Sequence, residues 1–144
     1  MTPLGRIGQV VATTSLGAIG AIHLLWASGA SWPAPNRKRL ARQVIGSDEM
    51  PSAGACLVVG GGMLAGSAII AGAGGTRALA IAARVAAALA FLLRGAMDGA
   101  RVTALLGRPG PHRRFVALDR RIYRPLCLIT GAAIALAVRG DRRS

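Results

Sequence analysis

Hydrophobic positions in this chain come as long unbroken runs, and four of them approach the length of about 20 residues that a bilayer-crossing helix needs. The first covers about residues 7–30 (IGQVVATTSLGAIGAIHLLWASGA) and is uncharged unless His23 is protonated. The second, about 53–75, also lacks a charge, and although its many glycines lower helix preference, lipid forces a helix by leaving backbone groups no other partner. The third, about 78–97, contains Arg84 and Arg94; the fourth, about 122–138, is shorter and contains Arg124 near its start. Long arginine side chains are expected to snorkel from such positions to the head groups. Arg6 ahead of the first run also fits a cleaved leader. The run is longer than a usual leader core and carries His23 and Trp26, so it is read as a span. The pattern predicts an all-α, integral membrane four-helix bundle formed by residues 1–144 as a single domain.

Between the runs lie a linker over about 31–52, a tight turn near Gly75 to Arg77, and a second linker over about 99–121. The turn predicts an antiparallel hairpin of spans two and three. Both linkers then share one membrane face, called the linker face below. Small residues repeated at i, i+4, Gly17 with Ala21 and Gly62 with Gly66, predict where helices pack closely. The run GGGMLAG follows no strand and lies inside an apolar run, so a phosphate-binding glycine loop is not drawn from it.

Composition agrees with lipid as the solvent: 53% of residues are hydrophobic and the mean hydropathy is +0.49. The formal charge of +13 nevertheless asks for an explanation. Nucleic-acid binding would pair basic charge with a soluble folded motif or stacking aromatics, neither of which is present, so no nucleic acid is expected. Basic residues beside apolar spans instead fix topology and touch anionic head groups. The linkers hold Arg37, Lys38, Arg39, Arg42, Arg101, Arg108, Arg113, Arg114, Arg120 and Arg121, against Arg6, Arg77, Arg139, Arg142 and Arg143 on the other side. This two-to-one excess predicts cytoplasmic linkers and outward termini in a multi-pass protein of the cell membrane.

Unusual residues fall at similar depth near the linker face: His23 and Trp26, Cys56, Arg94 and Asp98, and Tyr123 and Cys127, with Trp32, Pro33, Asp119 and Arg120 available from the linkers. Arg94 and Asp98, spaced i, i+4, predict an ion pair on one helix. His23 and Trp26, spaced i, i+3, predict a shared face. Bis-histidine haem ligation lacks a second intramembrane histidine, since His112 belongs to a linker; zinc lacks clustered ligands, so no cofactor and no metal are expected. Cys56 and Cys127 have no CxxC partner and are expected to behave as small apolar side chains. The two tryptophans fit an interfacial belt.

Three ordered segments, HLLWASGASWP (His23 to Pro33), FLLRGAMD (Phe91 to Asp98) and FVALDRRIYRPLCL (Phe115 to Leu128), resemble a bacterial membrane family, domain of unknown function 3995. Its members resemble one another in a His-x-x-Trp-Ala-x-Gly stretch closing the first span, an Arg-x-x-x-Asp stretch closing the third, and Leu-Asp-x-Arg-x-Tyr-x-Pro-Leu-Cys opening the fourth. The Arg37 to Arg42 cluster and the glycine-rich second span depart from that likeness. The resemblance implies a four-span bundle and no particular activity.

Three functions stay open on these residues. In the first, His23, Trp26, Trp32, Arg94, Asp98, Asp119, Arg121 and Tyr123 form a site for a lipid head group or small amphiphile, with Arg94 gripping the anion. The second is a membrane enzyme using His23 or Asp98 as acid or base. The third is a small structural subunit, in which the cluster locks the helices for a membrane-protein partner or a second copy. A transporter would need oligomerisation, because no inverted repeat or broken helix pair is evident.

Overall fold

The structure is a computed structural model that describes residues 1–141 and is all-α over them. Helix α1, Pro3–Ala27, starts where Thr2 accepts the Gly5 N–H at 3.1 Å and Pro3 needs no partner. Short α2, Arg37–Val44, is capped by Asn36, α3 spans Ala53–Ala71 behind the Ser52 cap, and α4 spans Ala78–Ala96. The turn between the second and third spans is tight because Gly72, at φ +123°, ends α3 in a conformation closed to side-chain-bearing residues. After α4 come α5, Gly99–Leu105, and α6, Arg113–Leu118, followed by a π-helical turn, Asp119–Tyr123, and α7, Arg124–Asp141. The last three join into one continuous helix. Pro125 gives the reason for the wide turn: it lacks the N–H that Arg121 C=O would receive and its ring presses on that carbonyl, so the preceding turn opens to i→i−5 bonding.

Four helical stretches are long and apolar enough to cross a membrane: Pro3–Ala27, Ala53–Ala71, Ala78–Ala96 and Arg113–Gly140. Only 22–28% of residues in their apolar windows are buried inside the protein, so most apolar side chains point outward. Val58, Leu79, Leu93 and Ile129 are all more than half exposed. In water such a surface would be a severe liability; in hydrocarbon it faces its own kind.

α1 sits between α3 and α7, and α4 packs on the other side of α7. The hairpin partners α3 and α4 touch far less than their short connection suggests. Backbone contacts explain the order. A Cβ on Gly20 would lie 3.0 Å from the Gly60 carbonyl oxygen, one on Gly8 only 2.6 Å from that of Ala133, and one on Gly131 3.0 Å from Leu92 N. The expected small-residue pairs are corrected by this geometry: Gly62 faces open space, Gly66 and Gly17 make only ordinary contacts near 3.7 and 3.8 Å, and Ala21 is exposed. The seam of α3 runs through Cys56, Gly60, Ser67 and Ile70, which turns only the first glycine of the 60–62 run toward α1. A mid-bundle core of Ala12, Leu16, Ile70, Ala88, Ala133 and Ile134 is joined by a second, at the linker face, of Trp26, Ala34, Leu40 and Cys56.

Arginines close helix ends throughout. Arg37 donates to the Trp26 carbonyl in the last turn of α1 and to the Ala30 carbonyl just beyond it, Arg84 to Ile69 C=O of α3 at 2.9 Å, and Arg124 to Gly95 and Ala96 carbonyls of α4. C-terminal carbonyls lack intrahelical donors and gather the negative end of the dipole, and lipid offers them no water. Arg84 therefore corrects an expectation: it turns inward, is 5% exposed, and does not snorkel outward. Gln9 donates to the neighbouring Ile70 carbonyl at 2.9 Å, so α1 and α4 together tie down the end of α3. Gly5 and Gly140 abut, which brings the start of α1 and the end of α7 to the bundle end opposite the linkers. Of the basic residues counted there, Arg142 and Arg143 lie outside the described residues.

Candidate functional site

The linker face is built by chain segments that look unstructured from hydropathy alone. α2 carries Leu40, Ala41 and Val44 on one side, together with Arg37, which reaches in to the end of α1, and Lys38, Arg39 and Arg42 on the other, so it lays an apolar stripe against Trp26 while those three charges point out. The second linker folds back to meet it: the His112 N–H donates to Gly46 C=O at 2.9 Å, and Tyr123 OH donates to Gln43 C=O at 3.0 Å. Replacing Tyr123 with Phe removes that second tie without disturbing the ring, which lies 6.2 Å from Phe115. We expect a loss of roughly 1 kcal/mol, read as faster hydrogen exchange at the α2 amides with the spans unchanged.

Of the eight residues expected to form one site, His23, Trp26 and Trp32 make one group and Arg94 and Asp119 a second, while Asp98, Arg121 and Tyr123 belong to neither. In the first, the His23 and Trp26 rings sit 4.9 Å apart, as their spacing implies, and Trp26 Nε1 donates to Trp32 C=O at 2.8 Å. His23 Nδ1 lies 2.7 Å from the Ile19 carbonyl, which only accepts, so Nδ1 carries the proton and Nε2 of the neutral ring keeps its lone pair. Trp26 is buried beneath Ala34, Leu40 and Cys56, whereas Trp32 is 64% exposed.

The second group centres on Asp119, which is 2% exposed. One carboxylate oxygen forms an ion pair with Arg94 Nη2, and the other accepts the Gly99 N–H at 2.6 Å. Arg94 Nη1 donates to Met97 C=O at 3.3 Å. Gly99 is required there, because a Cβ would lie 2.5 Å from the Phe115 ring and 3.0 Å from Asp119 Cγ. The arrangement clasps the end of α4, the start of α5 and the π-helical turn around one carboxylate. The Arg94–Asp98 pair expected from sequence is therefore corrected. α4 stops at Ala96, so Asp98 leaves the helix, caps α5 through the Arg101 N–H at 2.8 Å, and pairs with Arg101 Nε at 3.2 Å.

Arg121 is exposed and has no hydrogen bond or ion pair among the described residues. No bond joins His23 to Arg94, Asp98 or Asp119 among them either, and no three His, Cys, Asp or Glu side chains converge. Both cysteines are free thiols. Sequence reasoning missed Gly99, Phe115, Arg124 and the pairing of Arg42 with Asp48 at 2.5 and 3.1 Å. Asp98 followed by glycine was a readable start signal for α5, while the Arg42–Asp48 contact depends on the chain reversal after α2. The Arg42 guanidinium holds the Asp48 carboxyl at about 2, well below the usual carboxylate range, so this exposed acid stays ionised at neutral pH.

Compared with known proteins, residues 16–134 match the family model described as "Protein of unknown function (DUF3995)". No curated protein and no solved structure matches the chain.

Proposed function

Because the chain belongs to the DUF3995 family, whose model covers well over half of it, we propose from its own geometry that it is a non-catalytic, multi-pass module of the cell membrane that gathers anionic lipid head groups at its linker face. One observation carries this reading: the acids on that face are largely matched internally while many of its arginines are not. Asp48 is held by Arg42 and Lys38, Asp98 by Arg101, and Asp119 by Arg94. Arg39, Arg108, Arg113, Arg114, Arg120 and Arg121 are exposed, with their charge unmatched among the described residues. By the charge excess this face is cytoplasmic, where anionic lipids concentrate, and each basic residue near the surface contributes on the order of 1 kcal/mol. Arg94 and Asp119, in this reading, hold the face together and do not grip the ligand. An acid–base role for His23 or Asp98 has no comparable support, since the Asp98 carboxylate is engaged by Arg101 and His23 by its own helix.

The test is native mass spectrometry of the protein released from nanodiscs of mixed phosphatidylcholine and phosphatidylglycerol. Retained lipid should be enriched in the anionic species over the bulk ratio, with the enrichment falling as salt rises. Retention at the bulk ratio would sink the proposal. A second reading, a structural subunit or homo-oligomer, is favoured by the outward Gly61 and Gly62 of α3, beside which a Cβ would meet nothing within 4 Å. Such a face lets another helix approach closely. The same spectra would report a second copy or a copurifying partner.

A further inference from the structure

Arg39 and Arg42, one turn apart on α2, and His112 and Arg114, where the last long helix begins, line a single recess of about 430 Å³ walled by Pro33 and Pro35. The bond from His112 N–H to Gly46 C=O fixes the two linkers against each other and so holds the recess open between them. Within it, Arg42 is already matched by Asp48. Arg39 and Arg114 are not: neither guanidinium makes a hydrogen bond or ion pair among the described residues, although the Arg39 and Arg114 backbone N–H groups are capped by Asn36 and His112. His112 Nδ1 accepts the Arg114 N–H at 3.2 Å, so the proton of the neutral ring sits on Nε2, which remains a donor.

Two arginines with unmatched guanidinium groups and one histidine thus border one concavity, which supplies no acid of its own beyond the one holding Arg42. Converging like charges is unfavourable unless an anion joins them. The uncompensated charge, two from Arg39 and Arg114, corresponds to that of a phosphate monoester, about −1.5 to −2 at neutral pH. Guanidinium forks suit phosphate oxygens because they donate in pairs.

We infer that this recess is a phosphate-binding site, with Arg39 and Arg114 as its main donors and His112 completing the set; the inference deepens the lipid-gathering function proposed above and rests on it. It gives a diffuse basic face one defined pocket. The helix that carries Arg114 continues without a break into the fourth span, so the phosphate of a lipid head group is within the reach of the site, as is free phosphate.

The experiment compares wild type, Arg39→Ala/Arg114→Ala, and the charge-matched control Arg120→Ala/Arg121→Ala, each checked by thermal unfolding. One arm uses nanodiscs of phosphatidylcholine doped with phosphatidic acid, read by native mass spectrometry. The other titrates inorganic phosphate into detergent-solubilised protein, read by calorimetry. A lipid site predicts that phosphatidic acid retention falls about tenfold further in the first variant than in the control, whose own loss reports the diffuse charge of the face. A site for soluble phosphate predicts the same contrast in the calorimetric arm alone. Equal losses in both variants would leave the charge-gathering face in place and overturn the pocket. Wild type that retains no phosphatidic acid and binds no phosphate would overturn the pocket and count against the broader function as well.

Discussion

Replacing Arg94 with alanine is expected to destabilise the folded bundle by about 3–5 kcal/mol, the range for removing one partner of a buried ion pair. What remains is Asp119, 2% exposed, with a carboxylate whose one remaining hydrogen bond among the described residues comes from the Gly99 N–H. The converse change should be milder. Asp119→Ala leaves Arg94, whose side chain is 30% exposed and long enough to swing toward the head groups. Its loss is then the Gly99 hydrogen bond and the volume of one carboxylate, about 2–3 kcal/mol. The double replacement should cost less than the sum of the two, by a coupling of about 1–3 kcal/mol. Reversible unfolding of the four proteins in mixed micelles with increasing denaturing detergent measures all three quantities. Equal single losses with no coupling would mean that Arg94 and Asp119 act separately and that the clasp is not a unit. If Arg94→Ala melts as wild type does while losing a bound anion, Arg94 is a receptor after all.

The clasp also shows what could be read in the chain and what could not. Four apolar runs and the shared face of His23 and Trp26 follow from spacing and composition, because each depends on residues within a few positions of one another. The partner of Arg94 lies 25 residues downstream and depends on two local events: α4 ending at Ala96 and a π-helical turn that rotates Asp119 inward. Asp98 was the nearer acid and the natural choice on an unbroken helix. Yet an aspartate followed by glycine is also a cap and a break, and that signal decided the outcome. Pro125 announced some disturbance in the fourth long helix, though not its direction.

Arg84 failed for a different reason. α4 is so rich in alanine that no apolar stripe marks its inner side, and hydropathy cannot tell an inward arginine from an outward one. What would have told them apart is the need of α3's last carbonyls for a donor, which the hairpin expected of spans two and three already placed near Arg84. α2 was within reach of sequence reasoning, since Asn36 caps a stretch with Leu40, Ala41 and Val44 at helical spacing. Its density of arginines hid the pattern. The same density produced the basic recess, whose members come from both linkers and meet through the bond from His112 to Gly46.

Two glycine substitutions should separate the faces that hold this bundle together from the face it leaves open. Gly8→Val is expected to destabilise the protein by about 3 kcal/mol or more, at or above the usual range for overpacking. Its Cβ alone would stand 2.6 Å from the Ala133 carbonyl oxygen and 3.1 Å from Ala137 N. Those are backbone atoms of α7 and cannot rotate away, so α1 and α7 must move apart and the core around Ala12 and Ile134 must open with them. Gly62→Ala meets nothing within 4 Å and should instead be neutral or stabilise by up to about 1 kcal/mol, the helix preference of alanine over glycine. A larger side chain at Gly62 sharpens the contrast: Gly62→Leu should leave unfolding of the single chain unchanged, yet it would block close approach of a second helix to α3. A wild-type dimer that dissociates in Gly62→Leu would make this stripe an assembly face. A dimer that survives the substitution would show that the second copy docks elsewhere, while strong destabilisation of the monomer would mean that α3 is turned differently from the arrangement described.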